Sequence, residues 1–172
     1  MSHLTRPSEC YKESYLQALQ EFHAEGRHSR LDFDHLTSDF SGFVSGLLDR
    51  ADPARLMPGR VLETVYWLVD AETYIGRVSV RSELDDYLRD VGGHIGYDIR
   101  PSKRRLGYGT EILRLALIEA RQMGLGRVML TCDSDNTGSR RIIEANGGIL
   151  QDEIIVEEQE VPIRRYWIDL AL

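Results

Sequence analysis

A chain of 172 residues can bury a core without disulfides or a metal, so we expect one domain over residues 1–172. Its net charge of −7 argues against general nucleic-acid binding, and its two cysteines are too few for a disulfide framework. No apolar run reaches the length of a membrane span, and the polar N-terminus lacks the apolar stretch of a signal peptide. We therefore expect a cytoplasmic protein that contacts neither nucleic acid nor membrane.

The first 50 residues predict helices. Apolar residues recur at helical spacing over 11–22, and Gly26 follows as a stop. A second helix is predicted over 36–48, ending before Pro53. All strands are expected later in the chain.

The remaining elements alternate between strand and helix. Strand–helix–strand order implies a parallel pair with a right-handed crossover, and the hairpins imply antiparallel neighbours. The sequence therefore predicts an α/β fold with a mixed sheet. The predicted elements are strands at 64–69, 74–81, 94–99, 128–132, 149–156 and 164–170, a helical turn near 87–88, and helices over about 110–120 and 139–146.

The segment 100–120 reads RPSKRRLGYGTEILRLALIEA and places arginines and two glycines directly ahead of an amphipathic helix. Such a loop exposes backbone N–H groups beside a helix N-terminus, which is how proteins hold a phosphate group. A nucleoside-triphosphate loop needs Lys-Ser/Thr after its last glycine, but Thr110 and Glu111 follow here. A dinucleotide fingerprint needs a third glycine, which is missing. A purely structural strand-to-helix turn remains as the simpler interpretation.

The hexapeptide 104–109 has the form Arg/Gln-x-x-Gly-x-Gly/Ala, which resembles the acyl-coenzyme A loop of the GNAT (Gcn5-related) N-acetyltransferases. The resemblance extends in the right order over about 64–170. Its further features are Ile99-Arg100-Pro101 ahead of the loop, the strand 128–132 before Asn136-Thr137-Gly138-Ser139, and the aromatic closing strand Arg165-Tyr166-Trp167-Ile168.

This resemblance implies a mixed, mostly antiparallel sheet with a splayed central pair of parallel strands, flanked by helices. It implies an N-acetyltransferase that moves the acetyl group of acetyl-CoA onto an amine of a small molecule or peptide by direct attack, without a metal. The helices within about 8–50 are expected on the acceptor side, and the protein is expected to be a monomer or homodimer. The alternative is a non-catalytic domain of the same fold that binds or senses acyl-CoA.

The resemblance also implies which residues contact the coenzyme. Arginine side chains would add charge-assisted bonds to its phosphates, although one of the two loop arginines can equally be solvated. The asparagine after the second central strand would bond the pantetheine arm, and as an alternative it only caps the next helix. The implied contacts come from Ile99, Arg104, Arg105, Leu106, Gly107, Tyr108, Gly109, Thr110, Asn136 and Ser139.

The catalytic groups are less well defined by the sequence. The Ile99 N–H is implied as the donor to the oxyanion of the tetrahedral intermediate. An alkyl ammonium has a pKa near ~10, so a base is useful, and we rank His94 first and Asp98 second. Either can instead be a satisfied polar residue at the sheet edge. The tyrosine that relatives often place seven residues after the asparagine is Ile143 here, which leaves Tyr97, Tyr108, Tyr166 or water as the proton donor.

Overall fold

The computed structural model describes residues 1–157 and 159–170 and confirms the α/β fold class. The strands are β1 His3–Thr5, β2 Glu63–Asp70, β3 Thr73–Arg81, β4 Ile95–Ile99, β5 Arg127–Asp133, β6 Ile149–Ile154 and β7 Ile163–Asp169. The helices are α1 Lys12–Ala24, α2 Phe33–Ser38, α3 Phe40–Asp49, α4 Asp86–Asp90, α5 Tyr108–Gln122 and α6 Thr137–Ala145. Within the described part of the chain, no helix combines the length and apolar character needed to cross a membrane.

The strands form two antiparallel sheets, ordered β1-β2-β3-β4 and β5-β7-β6. Strands β4 and β5 are their facing edges, and the backbone joins them where the His94 N–H donates to the Met129 carbonyl at 2.8 Å. Gly93 permits this approach, because a Cβ there would lie 2.4 Å from the same carbonyl oxygen. Beyond this contact, β4 and β5 form no ladder of hydrogen bonds with each other among the described residues. The two strands therefore separate, as the predicted splay requires.

Each face of the first sheet buries its own core. One face packs on α5 through a cluster that includes Ile75, Val78 and Ile112. The opposite face is covered by α1 and α3, and there the fully buried Trp67 stacks on Tyr15 with ring centroids 5.0 Å apart. Aromatic packing of this kind contributes about 0.5–1.5 kcal/mol per pair beyond area burial, so it fixes α1 firmly on the sheet.

Two predicted features of the N-terminal segment are wrong. The helix predicted over 36–48 is broken at Asp39, whose non-helical backbone (φ −132°, ψ 61°) ends α2 and whose side chain accepts from the Gly42 N–H at 2.9 Å to begin α3. A strand also precedes the helices, since β1 pairs antiparallel with β2 through Thr5 and Trp67. Three residues are too few to show an alternating pattern, so β1 was not visible in the sequence.

Candidate functional site

Two cavities meet at the end of β4. The loop cavity, of about 550 Å³, lies between the loop 104–107, the start of α5 and the start of α6. The helix cavity, of about 260 Å³, lies between the sheet face and helices α1 and α3. Tyr97 and Asp98 line both. Groups bound in the two cavities can therefore approach one another at these two residues.

The loop cavity is bordered by unpaired backbone N–H groups. Arg105 and Gly107 have left-handed backbones (φ +61° and +87°), and helix α5 then begins at Tyr108 without a side-chain cap. The amides from Arg105 to Thr110 donate to no atom within the described residues. Unpaired N–H groups at the positive end of a 15-residue helix form an anion site, and a phosphate group fits it.

The two glycines of the loop serve different purposes. A Cβ on Gly107 would meet no atom within 4 Å, so glycine is favoured there by its φ of +87°. A Cβ on Gly109 would lie 2.4 Å from Cδ1 of Ile142, so glycine there allows α5 and α6 to pack closely. The shape of the loop therefore depends on Gly107, and the wall of the cavity depends on Gly109.

The two loop arginines also differ. Arg104 donates from Nε to the Ile99 carbonyl at 3.1 Å and from Nη1 to the Glu25 carboxylate at 2.8 Å, so it ties the loop to β4 and α1. Its Nη2 is buried and has no partner among the described residues. Arg105 also lines the loop cavity, and it forms no ion pair among the described residues. Arg105 is therefore the loop arginine available to an anionic ligand.

The register of β4 leaves its outer backbone groups facing the splay. Arg100 N–H donates to β3 at 2.9 Å, and the His94 carbonyl accepts from the last residue of β3 at 2.8 Å. In an antiparallel ladder these bonds recur at every second residue, so the intervening Tyr97 and Ile99 point their N–H and carbonyl groups away from β3. The Ile99 N–H thus faces the gap between the sheets.

The register of β5 exposes the opposite wall. Just outside its two ends, Gly126 accepts from Leu170 at 2.9 Å and Ser134 donates to Pro162 at 2.8 Å. By the same alternation, the backbone groups of Thr131 and Asp133 face β4. The splay is therefore a slot lined on both sides by backbone polar groups.

His94 lies at the closed end of this slot. It is 8% exposed, its Nδ1 accepts from the Met129 N–H at 2.9 Å, and its ring lies 6.1 Å from that of Trp167. Burial, followed by the charges of nearby arginines, lowers the pKa of His94. The ring borders neither cavity, so the structure does not bring the first-ranked base to the site.

Asp98 lies at the junction of the two cavities, since it lines both, and it has two partners that the sequence did not predict. Its Oδ2 lies 2.6 Å from Nε2 of His28, and its Oδ1 accepts from Arg27 at 3.1 Å. His28 has a left-handed backbone (φ +57°), and its ring packs edge-on against Phe22 at 4.4 Å. No local pattern in the sequence brings His28 to a carboxylate 70 positions later.

Of the three candidate tyrosines, Tyr97 borders the cavities. Its hydroxyl lies 2.8 Å from Oγ of Ser139, and burial raises its pKa to about 12. Tyr166 and Ile143 are buried in the core, and Tyr108 packs at its edge. Asn136 caps α6, because its Oδ1 accepts from the Ser139 N–H at 3.0 Å.

Most of the predicted coenzyme residues converge. Leu106 in the loop and Tyr108 at the start of α5 do not line the cavity, and the Leu106 side chain is exposed. The predicted residues that line the loop cavity are Ile99, Arg104, Arg105, Gly107, Gly109, Thr110, Asn136 and Ser139, and it also contains Arg27, Gly138 and Ile142, which were not predicted.

Several solved structures that share this fold are acetyltransferases. The microcin C7 self-immunity acetyltransferase MccE, in complex with acetyl-CoA and AMP, superposes with a TM-score of 0.71 at 15% identity, over 98% of this chain and 92% of that one. A chimera of the spermidine N-acetyltransferase SpeG from Vibrio cholerae and hSSAT gives 0.64 at 15% identity, over 98% and 95%. A Salmonella typhimurium acetyltransferase that modifies the N-terminal serine of ribosomal protein L7/L12 gives 0.66 at 14% identity, over 98% and 94%.

These structural likenesses establish the fold. No curated protein sequence matches the chain. The family model described as "Acetyltransferase (GNAT) domain" matches residues 21–149, which is more than half of the chain and includes the loop and α6. The chain therefore belongs to the GNAT acetyltransferases and is an acyltransferase.

Proposed function

We propose that this protein transfers the acetyl group of acetyl-CoA to an amine by direct attack of the amine nitrogen on the thioester. The observation that carries the proposal is that the loop cavity and the helix cavity share Tyr97 and Asp98. The loop cavity would hold the acetyl donor and the helix cavity the acceptor. A single domain over 1–172 is proposed, with the helices of 8–50 on the acceptor side, because α1 and α3 line the helix cavity.

The loop is proposed to bind the pyrophosphate of the coenzyme. The unpaired amides of the residues that line the cavity, Arg105, Gly107, Gly109 and Thr110, would surround it, and the Arg105 guanidinium would add a charge-assisted bond. The pantetheine arm fits the slot between β4 and β5, where Ile99 and Thr131 present backbone groups. The Ile99 N–H is the proposed donor to the oxyanion that forms when the nitrogen adds to the carbonyl carbon.

Proton movements are assigned to the residues at the junction. Asp98, with His28 at 2.6 Å, is proposed to take a proton from the acceptor's ammonium group, directly or through water, which leaves the neutral amine that attacks. A carbon–nitrogen bond forms and the carbon–sulfur bond breaks; the nitrogen then loses its second proton, and the thiolate that leaves gains one. Tyr97 stays protonated because burial raises its pKa to about 12, so its hydroxyl is the proposed donor to the thiolate.

One observation favours the alternative, a domain that binds acyl-CoA without catalysis. Ile143 occupies the position where relatives often have a tyrosine, and it is completely buried. Unless another hydroxyl protonates the thiolate, turnover would be slow. Tyr97 is the residue on which this distinction depends.

The test is acetyl transfer measured as free-thiol release from acetyl-CoA across a panel of amines, together with calorimetric binding of coenzyme A, ATP and NAD. The proposed function requires coenzyme A binding and thiol release with at least one amine. Tight coenzyme A binding without release on any amine would favour the non-catalytic domain. Stabilisation by ATP or NAD but not by coenzyme A would exclude both. Action in the cytoplasm as a monomer or homodimer is proposed along with this activity.

A further inference from the structure

One end of the helix cavity is lined by arginines. Arg50, Arg77 and Arg81 all reach the same carboxylate, that of Glu63, at 2.9, 3.7 and 2.8 Å respectively. All three line the cavity. Arg50 directly follows α3, and Arg77 and Arg81 are four residues apart on β3, so the last two share the face of the sheet that α3 covers.

The charges in this cluster do not balance. Burial would raise the pKa of Glu63, but the three arginines outweigh it and lower the pKa, so Glu63 supplies one negative charge near neutrality. Three guanidinium groups face that single carboxylate, in a protein whose net charge is −7. Local excess positive charge is thus opposite in sign to the whole chain and is not a general property of its surface.

Arg77 is the least satisfied member of the cluster. Its distance to the Glu63 carboxylate, 3.7 Å, is the longest of the three. Its Nε is buried and has no partner among the described residues. A buried donor left unpaired costs free energy, about 1–3 kcal/mol, unless a ligand satisfies it. The cavity beside Arg77 is where such a ligand would bind.

The cluster extends along β3 from the reacting end of the cavity. Arg77 lies directly opposite Asp98 in the β3–β4 ladder, and Arg81 is four residues further along β3, a span of about 13 Å. The cavity is also lined by apolar side chains of α1 and α3, such as Leu19 and Leu47. The cavity thus holds the carboxylate and imidazole of the Asp98–His28 pair, apolar surface, and unbalanced cations that continue along β3 away from Asp98.

From this arrangement we infer that the acceptor amine carries an anionic group, a carboxylate or a phosphate, which binds Arg50, Arg77 and Arg81 while its amino group reaches Asp98. A cavity of about 260 Å³ limits the bound portion to a small metabolite or the first residues of a peptide. This inference rests on the proposed function and names the class of acceptor for it.

The experiment compares acceptors that differ in charge and little in size. Thiol release from saturating acetyl-CoA is measured with γ-aminobutyrate, its neutral amide and putrescine, and with the amides of alanyl-glutamate, alanyl-glutamine and alanyl-lysine. O-phosphoethanolamine against ethanolamine separates a phosphate preference from a carboxylate preference. We expect kcat/KM to be about tenfold or more higher for the anionic member of at least one set.

Variants then connect this preference to the cluster. Arg77→Gln and the half-exposed Arg50→Gln should each lower kcat/KM for the anionic acceptor by about tenfold, and change it less than about twofold for the neutral amide. Arg55→Gln is the matched control, because Arg55 is an exposed arginine that pairs with Asp49 and does not line the cavity. Circular dichroism and coenzyme A affinity check that each variant is folded.

The outcomes separate the two proposals. Equal or faster transfer to neutral or cationic amines would overturn the anionic acceptor and leave the acetyltransferase proposal standing. An anionic preference unchanged in both Arg77→Gln and Arg50→Gln would overturn the assignment to this cluster. Coenzyme A binding with no transfer to any amine would overturn both proposals.

Discussion

Gly107 and Gly124 lie at the two ends of helix α5 with the same backbone angle, φ +87°, and a Cβ on either would meet no atom within 4 Å. The same substitution therefore imposes the same backbone strain at both, about 1–2 kcal/mol. Gly107 borders the loop cavity and Gly124 does not. The chain thus contains an internal control for the role of the loop.

Gly107→Glu should abolish coenzyme A binding in a folded protein. A carboxylate about 4 Å from a phosphate costs about 4 kcal/mol at a partly exposed site, so we expect the dissociation constant to rise about a hundredfold or more after screening. Calorimetric titration with coenzyme A measures it, and urea unfolding measures the strain.

Gly124→Glu is the control for that variant. It carries the same strain and added charge at the C-terminal end of α5, where an anion is slightly unfavourable, so it should lose at least as much stability. Its coenzyme A affinity should match that of the wild type. If both variants lost affinity equally, or if Gly107→Glu kept it, the loop assignment would be wrong.

The Asp98–His28 pair should govern the rate of transfer. Asp98→Asn removes the proposed proton acceptor, and we expect kcat/KM to fall by about 10²-fold with coenzyme A affinity unchanged. His28→Asn keeps a residue type that tolerates the left-handed backbone while removing the imidazole that contacts Asp98, so it should lower kcat/KM less than Asp98→Asn does. Full activity in Asp98→Asn would show that this carboxylate is not the proton acceptor.

Tyr97→Phe should slow the chemical step. If its hydroxyl protonates the thiolate, kcat should fall by about 10–100-fold, with little change in either KM. Ser139→Ala breaks the same 2.8 Å hydrogen bond but keeps the phenol, so it should retain most of the activity. Tyr108→Phe, at a tyrosine outside both cavities, is the control for ring substitution. Equal losses in the Phe variant of Tyr97 and in Ser139→Ala would assign the effect to the hydrogen bond.

The elements that could be predicted are those with a local signal. The hairpin β2–β3 and helix α5 were predicted to within a few residues, since alternation, a short polar turn and a glycine stop are readable in sequence. Strand β1 depends on backbone pairing with β2, which three residues do not reveal. The break at Asp39 was missed because the apolar spacing continues through it.

The same distinction between local signals and long-range contacts applies to the candidate site. The loop was identified because its glycines and arginines are contiguous, whereas His28, Arg50 and Arg77 meet at the helix cavity only after α1 and α3 fold onto the sheet. The sequence ranked His94 above Asp98 by side-chain chemistry alone. The sequence could not show that Nδ1 of His94 accepts a hydrogen bond from the backbone N–H of Met129, 35 positions later.

His94 should affect stability and not the pH profile of catalysis. Its pKa in the folded protein is lowered, so below the unfolded value of ~6.5 the unfolded chain binds more protons and stability falls as the pH drops. His94→Gln keeps an acceptor for the Met129 N–H without titrating, and urea unfolding between pH 7 and pH 5 should show a smaller pH slope. A shifted kcat profile in this variant would restore His94 as the base.

Protonation of Glu63, at the centre of the arginine cluster, should lower the stability of the folded protein. Its pKa is lowered in the folded protein, so its contribution is present above the unfolded value of ~4.3 and is lost as the pH falls through the folded value. Glu63→Gln leaves three guanidinium groups without their carboxylate, and we expect about 3 kcal/mol lower stability at pH 7. Glu153→Gln, which removes the exposed partner of Arg164, should cost about 0–1 kcal/mol.

The same variant tests the cluster from the ligand side. With the internal carboxylate gone, an anionic amine has less competition for the arginines, so γ-aminobutyrate should raise the melting temperature of Glu63→Gln more than that of the wild type. Its neutral amide should shift neither protein. Equal shifts with the acid and the amide would show that the arginines serve only to hold Glu63, and that the acceptor is selected elsewhere in the cavity.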